Sequence, residues 1–268
     1  MDQIQNKQRY FVIGDIHGMF NLLMDLIKIL EEKAGFSLEK GDILIQLGDR
    51  NDRGPDTYKV NEYFKNLQLM WPGQIIVLMG NHDRMLLDAC DDRSDLMYYN
   101  GGNKTEKSYA DVSKIYGSRG FGNSVRKVGH YDWLKRCPLF YETPDYFFSH
   151  APIALGKYYE HRTDFRWDEH ALTWTFIDGI PVLEWVDGKL IPKEYGDEWK
   201  ITVHGHIHSG TYNKTTKLYE TPNPVQIDNA ILIDTGSGCW QDAKLCALEL
   251  PSRTYYLSDG TIGSMDEK

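Results

Sequence analysis

The sequence predicts an α/β fold with an α+β-like second half, and three observations carry that expectation. Over the first third, apolar runs alternate with helical repeats in a β-α-β-α-β order. Each of those runs stops at a glycine that Asp or Asn follows. Beyond the middle of the chain, short apolar runs bounded by turn residues dominate, which is an antiparallel pattern. The first strand is expected at residues 10–13, ended by Gly14. A helix over 19–33 follows, with Phe20, Leu23, Ile27 and Leu30 at helical spacing. Strand 43–47, helix 56–67, strand 74–79 and a helix over 84–89 continue the alternation, which implies parallel neighbours with helices packed on them. Residues 91–129 are polar and glycine-bearing, with a helical segment near 105–116, and read as an insertion over one end of the sheet. Strands are expected again at 146–148, 201–203, 230–233, 244–250 and 254–257, with a hairpin at 182–191 turning on Asp187-Gly188. The polar tail from Ser258 is expected to fray. The whole reads as one domain over residues 1–268, with the insertion at about 91–130.

Composition narrows the function. The 268 residues are 41% hydrophobic and 26% charged, as in ordinary globular enzymes. A formal net charge of -9 argues against DNA or RNA as a partner, because broad nucleic-acid binding needs clustered Lys and Arg. The start is polar without a signal-peptide core, and the apolar stretch 19–30 is broken by Asn21, Asp25 and Lys28. No membrane partner and a cytoplasmic location are therefore expected. Cys90, Cys137, Cys239 and Cys246 form no CxxC pair and read as free thiols in a reducing compartment.

Five strings carry the chemistry: GDIHG from Gly14, GDRNDRG from Gly48, GNHD from Gly80, SHA from Ser149 and GHIH from Gly205. They set Asp15, His17, Asp49, Asn81, His150 and His206 just past apolar runs. In open α/β sheets such positions converge outside the carboxyl ends of the strands. Carboxylate, amide and imidazole donors together suit two divalent metal ions, with manganese the first choice and iron, zinc or magnesium the alternatives. Asp49 is the best candidate to bridge them. A water shared by such a pair is partly ionised near neutral pH and can attack phosphorus directly. No C-x5-R loop or GxSxG elbow offers a covalent route.

Each string has a plainer explanation alone. Asn81 could cap a helix, Asp49 and Asp52 could be turn residues, Arg53 could pair at the surface, and His150 could be a core histidine. Five such coincidences in this order are a poor explanation of the whole. His130, His161 and His170 read as packing or surface residues, and the aromatics Tyr158, Tyr159, Trp167, Trp174, Trp185, Trp199 and Trp240 as core or rim.

At these residues the chain resembles the calcineurin-like metallophosphoesterases, and its GDxxDRG form resembles their phosphoprotein phosphatase branch. That branch holds serine/threonine protein phosphatases and symmetric diadenosine tetraphosphatases. The segment YYNGGNKTEKSY from Tyr98 and the ending from Ile233 to Leu250 are similar to those of bacterial members. The resemblance implies a central β-sandwich of two mixed sheets flanked by helices, with a helical cap over the metal site. It implies that Asp15, His17 and Asp49 hold one ion, and that Asp49, Asn81, His150 and His206 hold the other. His82 would be the general acid, oriented by Asp52, and Arg53 would clamp phosphate. Asn100 joins Arg53 as a substrate-binding candidate. The branch's second phosphate-binding Arg is missing from Trp174-Thr175-Phe176, so Arg162 and Arg166 stand in as candidates. GHIH departs from the branch's GHTP, which makes His208 a candidate ligand of the first ion and puts His204 behind the site. The expected activity is hydrolysis of phosphoserine and phosphothreonine in phosphoproteins. The alternative is a dinucleoside polyphosphate substrate, cut symmetrically to two ADP, toward which Asp83 in place of the commoner Glu points. A non-catalytic metal-binding module is the remaining reading.

Overall fold

The structure, a computed structural model, describes residues 7–152, 200–209, 223–227 and 229–266, the side chains of 118 and 119 aside, with the backbone of short strands between 176 and 220. The first half alternates β1 (Tyr10–Ile13), α1 (Phe20–Ile29), β2 (Ile43–Gln46), α2 (Thr57–Met70), β3 (Ile75–Val77) and α3 (Asn81–Cys90). As expected, β1, β2 and β3 are parallel neighbours. Helix α1 continues as a π-turn over Leu30–Ala34 and ends on left-handed Gly35 (φ 64°). Helix α3 starts three residues earlier than its apolar spacing suggests, at Asn81 rather than Arg84, so Asn81 and His82 stand in its first turn.

The polar stretch that follows folds into α4 (Leu96–Tyr99), α5 (Gly102–Ser113), α6 (Ser118–Lys127) and α7 (His130–Leu134). Met97, Tyr109, Phe121, Val125 and Trp133 share one core with Leu86 and Leu87 of α3 and with Phe11 and Ile13 of β1. Strands β4 (Phe140–Glu142) and β5 (Tyr146–Ser149) come next. Ribbons β6 (Phe176–Ile177) with β7 (Ile180–Pro181), and β8 (Leu183–Val186) with β9 (Lys189–Pro192), are antiparallel. The second of these is the expected hairpin. After β10 (Ile201–His208), β11 (Thr211–Asn213) pairs with β12 (Leu218–Glu220), and the chain closes with β13 (Val225–Ile227), β14 (Ala230–Asp234), β15 (Cys246–Leu250), β16 (Thr254–Leu257) and β17 (Ile262–Ser264).

Two mixed sheets result. One has the order β17-β16-β15-β1-β2-β3, the other β13-β14-β10-β5-β4. Val12, Ile45 and Leu248 of the first sheet pack on Phe148, Val203, Ile231 and Ile233 of the second, all essentially buried. The alternation along β1 explains the layering: Val12 faces the second sheet, while Phe11 and Ile13 face the helices. The tail is ordered from Ser258 through Asp266, the last described residue. β17 pairs antiparallel with β16, and Arg253 Nε donates to Asp266 Oδ1 at 2.7 Å, so an edge strand needs no apolar run. Among the described residues no helix is long and apolar enough to cross a membrane.

Candidate metal centre

The carboxyl ends of β1, β2, β3 and β5 and the far half of β10 deliver their polar side chains to one place. Backbone geometry marks it. Of the eight described non-glycine residues at positive φ, five lie here: His17, Asp49, Asp52, Arg53 and His206. Left-handed conformations cost energy in non-glycine residues and persist where the surroundings over-determine them. Gly48, ahead of Asp49, has φ 104°, whereas Gly80 and Gly205 serve close approach. A Cβ on Gly80 would overlap the Asp49 carboxylate and one on Gly205 the Asp15 carboxylate, and neither residue has positive φ.

Asp49 is central. Its Oδ1 accepts the His82 N–H at 2.9 Å and lies 3.4 Å from His150 Nε2, while its Oδ2 lies 3.7 Å from His17 Nε2. Among the described residues, two groups hold potential ligand atoms all within 4.8 Å of one another: His17, Asp49 and His82, and Asp49, His150 and His206. Asp49 belongs to both. Asn81 Oδ1 stands 2.9 Å from His150 Nε2 and 3.0 Å from His206 Nδ1. It does not cap α3, whose cap residue is Gly80. Asp15 accepts the His206 N–H at 3.2 Å on either oxygen and lies 4.0 Å from His150 Nδ1.

His208 joins neither group. A register shift in β10 between His204 and His208 carries it toward Asp234, with Nε2 3.4 Å from Asp234 Oδ2 and 3.4 Å from Cys239 Sγ. His204 is wholly buried behind the site, with Nδ1 3.0 Å from Ser149 Oγ. Asn100 is held by its own helix, donating to Leu96 O at 2.8 Å, and it is Gly101 that touches Arg53. Arg162, Arg166, His161 and His170 lie outside the described residues, as do the side chains of the expected rim aromatics other than Trp240. Trp240 is 37% exposed and packs edge-on to His208.

His17 Nδ1 donates to Asn51 O at 2.7 Å, which leaves Nε2 to accept; Arg53 Nη1 donates to it at 2.7 Å. Arg53 Nη2 lies 3.1 Å from His82 Nε2, and His82 Nδ1 lies 2.7 Å from Asp52 Oδ2. Burial, then the charges of His82 and Arg53, press the His17 pKa well below its usual value. Burial takes His206 down to about 3. Burial, then Asp234 and Asp49, raise Asp15 well above the carboxylate range. Burial also opposes ionisation of Asp49, yet His150 and His82 outweigh it and hold its carboxyl well below that range. For His82, burial is outweighed by Asp49 and Asp52, and its pKa rises. Burial thus keeps the His17 and His206 imidazoles neutral, the form a divalent cation takes as a ligand, and the crowding of Asp15 against Asp49 and Asp234 is of the kind that a cation relieves.

Sequence reasoning missed the support beneath these groups. Asp83 and Arg50 are wholly buried and paired, Arg50 Nη2 to Asp83 Oδ2 at 2.9 Å. The Asp83 carboxylate also accepts the backbone N–H groups of Gly80 (2.9 Å), Asp49 (3.2 Å) and Arg50 (3.3 Å) and the Asn51 amide. The strings contained both residues, but a linear pattern does not reveal burial of a charge.

The profile of the family described as calcineurin-like phosphoesterase matches residues 8–223. Serine/threonine-protein phosphatase 1 of Salmonella typhimurium is 34% identical over 101 residues, covering 37% of this chain and 42% of that protein. The symmetrical bis(5'-nucleosyl)-tetraphosphatase of Buchnera aphidicola is 36% identical over 147 residues, 54% of this chain and 44% of that protein. The match thus spans less than half the length of either curated relative. A cold-active protein-tyrosine phosphatase of a psychrophilic Shewanella has the same fold, with a TM-score of 0.53 at 17% identity over 97% of this chain and 80% of that one. On the extent of the profile match, and with a fold of two mixed sheets flanked by helices, the chain belongs to the calcineurin-like phosphoesterase family.

Proposed function

We propose that this protein is a dimetal phosphoesterase that hydrolyses phosphomonoesters, with phosphoserine and phosphothreonine in proteins as its substrate class. The observation that carries the reading is Asp49, a single carboxylate with one oxygen toward His150 and the other toward His17. Asp15, His17 and Asp49 would hold one ion, and Asp49, Asn81, His150 and His206 the other. Two divalent ions, when bound, neutralise phosphate charge and bring the pKa of a water near neutrality.

The protein's own groups supply the rest. Arg53 is half-buried, with its guanidinium between the His17 and His82 rings, where a planar fork can take two phosphate oxygens at once. His82 presents Nε2 to the leaving oxygen while Asp52 holds Nδ1. As water oxygen bonds to phosphorus and the bond to the alkoxide breaks, the Nε2 proton passes to the alkoxide. The Asp52 carboxylate at Nδ1 favours the protonated ring and so keeps that proton on hand for transfer. Asp83 keeps the Asp49 backbone in place and, being wholly buried, would act on the substrate only through the groups it holds.

The second reading is symmetric cleavage of diadenosine tetraphosphate. It is favoured by the longer aligned stretch with the Buchnera tetraphosphatase, 147 residues against 101 for the Salmonella phosphatase. A phosphoserine peptide and diadenosine tetraphosphate, assayed side by side with Mn(II), test both. Faster release of inorganic phosphate from the peptide is expected. Faster formation of ADP would install the second reading, and inertness toward both would leave the non-catalytic module.

A further inference from the structure

The segment YYNGGNKTEKSY has a physical task that the proposed chemistry leaves unassigned. Its Gly101 carbonyl accepts the Arg53 N–H at 3.3 Å, and its Ser108 Oγ accepts the Tyr58 N–H at 3.1 Å. Its Thr105, on α5 and wholly buried, touches Asp52 twice. Thr105 Oγ1 accepts the Asp52 N–H at 2.9 Å and donates to Asp52 Oδ1 at 2.9 Å. Its single proton being spent there, the Thr57 hydroxyl at 3.0 Å must donate to it. The hydroxyl is thus saturated, with one bond given and two received. A threonine inside a helix ordinarily turns its hydroxyl to a carbonyl of its own preceding turn. Thr105 instead gives its one proton to the Asp52 carboxylate and accepts the Asp52 N–H.

Asp52 needs such a grip. It has φ 68°, and Arg53 follows at φ 62°, two consecutive left-handed non-glycine residues. Its carboxylate is held on both oxygens, Oδ1 by Thr105 and Oδ2 by His82. With a partner on each oxygen the carboxylate cannot turn about its Cβ–Cγ bond, and its orientation sets the direction of the His82 ring.

We infer that Thr105 is a positioning residue for the Asp52–His82 pair, aiming the His82 Nε2 proton at the leaving oxygen from a helix outside the sheets. The inference rests on His82 being the general acid. Loss of aim slows substrates whose leaving oxygen needs a proton and spares those whose leaving group departs as a stable anion.

Thr105→Val keeps the shape and removes the hydroxyl. It is measured with Mn(II)-loaded protein on phenyl phosphate, a poor leaving group, and p-nitrophenyl phosphate, a good one, beside Thr105→Ser and His82→Asn. We expect kcat on phenyl phosphate to fall about 10-fold more than on p-nitrophenyl phosphate, a fraction of what a general acid contributes. KM should stay within about 2-fold, and Thr105→Ser should recover most of the loss because the hydroxyl returns. Equal loss on both substrates, or a change confined to KM, overturns the inference when His82→Asn itself discriminates between them. If His82→Asn loses both equally, the general-acid reading falls and this inference with it. Should Thr105→Val not fold, Thr57→Val, which removes only the donor behind Thr105, gives the same comparison at smaller amplitude.

Discussion

Replacing Arg50 by Met removes a charge that never meets water. The guanidinium, wholly buried, donates to Gln46 Oε1 (2.7 Å), Leu78 O (2.6 Å) and Asn61 Oδ1 (3.2 Å), pairs with Asp83, and lies 5.3 Å from the Trp133 ring centroid. Met fills much of the volume but leaves the Asp83 carboxylate without a countercharge. Breaking one side of a buried pair costs about 3–5 kcal/mol. Three backbone N–H groups and Asn51 still solvate the carboxylate, so the lower half of that range is expected. With a urea slope of ~3 kcal/mol per molar, the midpoint moves down by roughly 1 M. Asp83→Asn in the Arg50→Met background removes the stranded charge, so the double variant should be more stable than the sum of the single losses by about 2 kcal/mol. Urea unfolding of the four proteins in chelator, followed by tryptophan fluorescence, measures this. A single-variant loss below about 1 kcal/mol, or strictly additive losses, would refute the reasoning.

Three other outcomes are expected. Asp49→Asn removes the negative charge presented to His17 and His150 and should abolish turnover and release metal; retention of both ions by equilibrium dialysis would contradict its shared role. Gly54→Ala sets a methyl against the His17 carbonyl and Gly18, and should cost roughly 1–3 kcal/mol together with most activity; wild-type thermal unfolding would show that this contact is not needed. His130 is buried against Tyr109 and Glu62, and burial takes its pKa down from 6.5 to about 4. The unfolded chain therefore binds a proton that the folded chain refuses between those values, and stability falls as pH drops from 6.5 to 4, by up to ~3 kcal/mol. His130→Gln should flatten that part of a urea-midpoint-against-pH curve, and an unchanged slope would assign it to other groups.

The parallel core of the first sheet was legible because β1, β2 and β3 are apolar runs ended by glycine, and the same punctuation located Asp15, Asp49 and Asn81. Helices α4–α7 were only partly legible. Their buried residues, such as Met97 and Tyr109, are spread among polar ones, and their order comes from tertiary contacts. Strands β4 and β17 are short edge strands that need no apolar repeat. The buried, paired roles of Arg50, Asp83, Asn61 and Thr105 were not legible because a buried polar side chain looks like a surface one in sequence, and only its partners set it apart. The register shift that carries His208 toward Asp234 depends on the β10–β14 pairing, which no local string encodes.

Electron paramagnetic resonance of the Mn(II)-loaded protein, with the manganese counted by elemental analysis, tests most directly whether Asp49 serves two ions. The account predicts two manganese ions per chain and the spectrum of an exchange-coupled pair, as expected for ions about 3.5–4 Å apart. One ion per chain, or two with isolated six-line spectra, would contradict it.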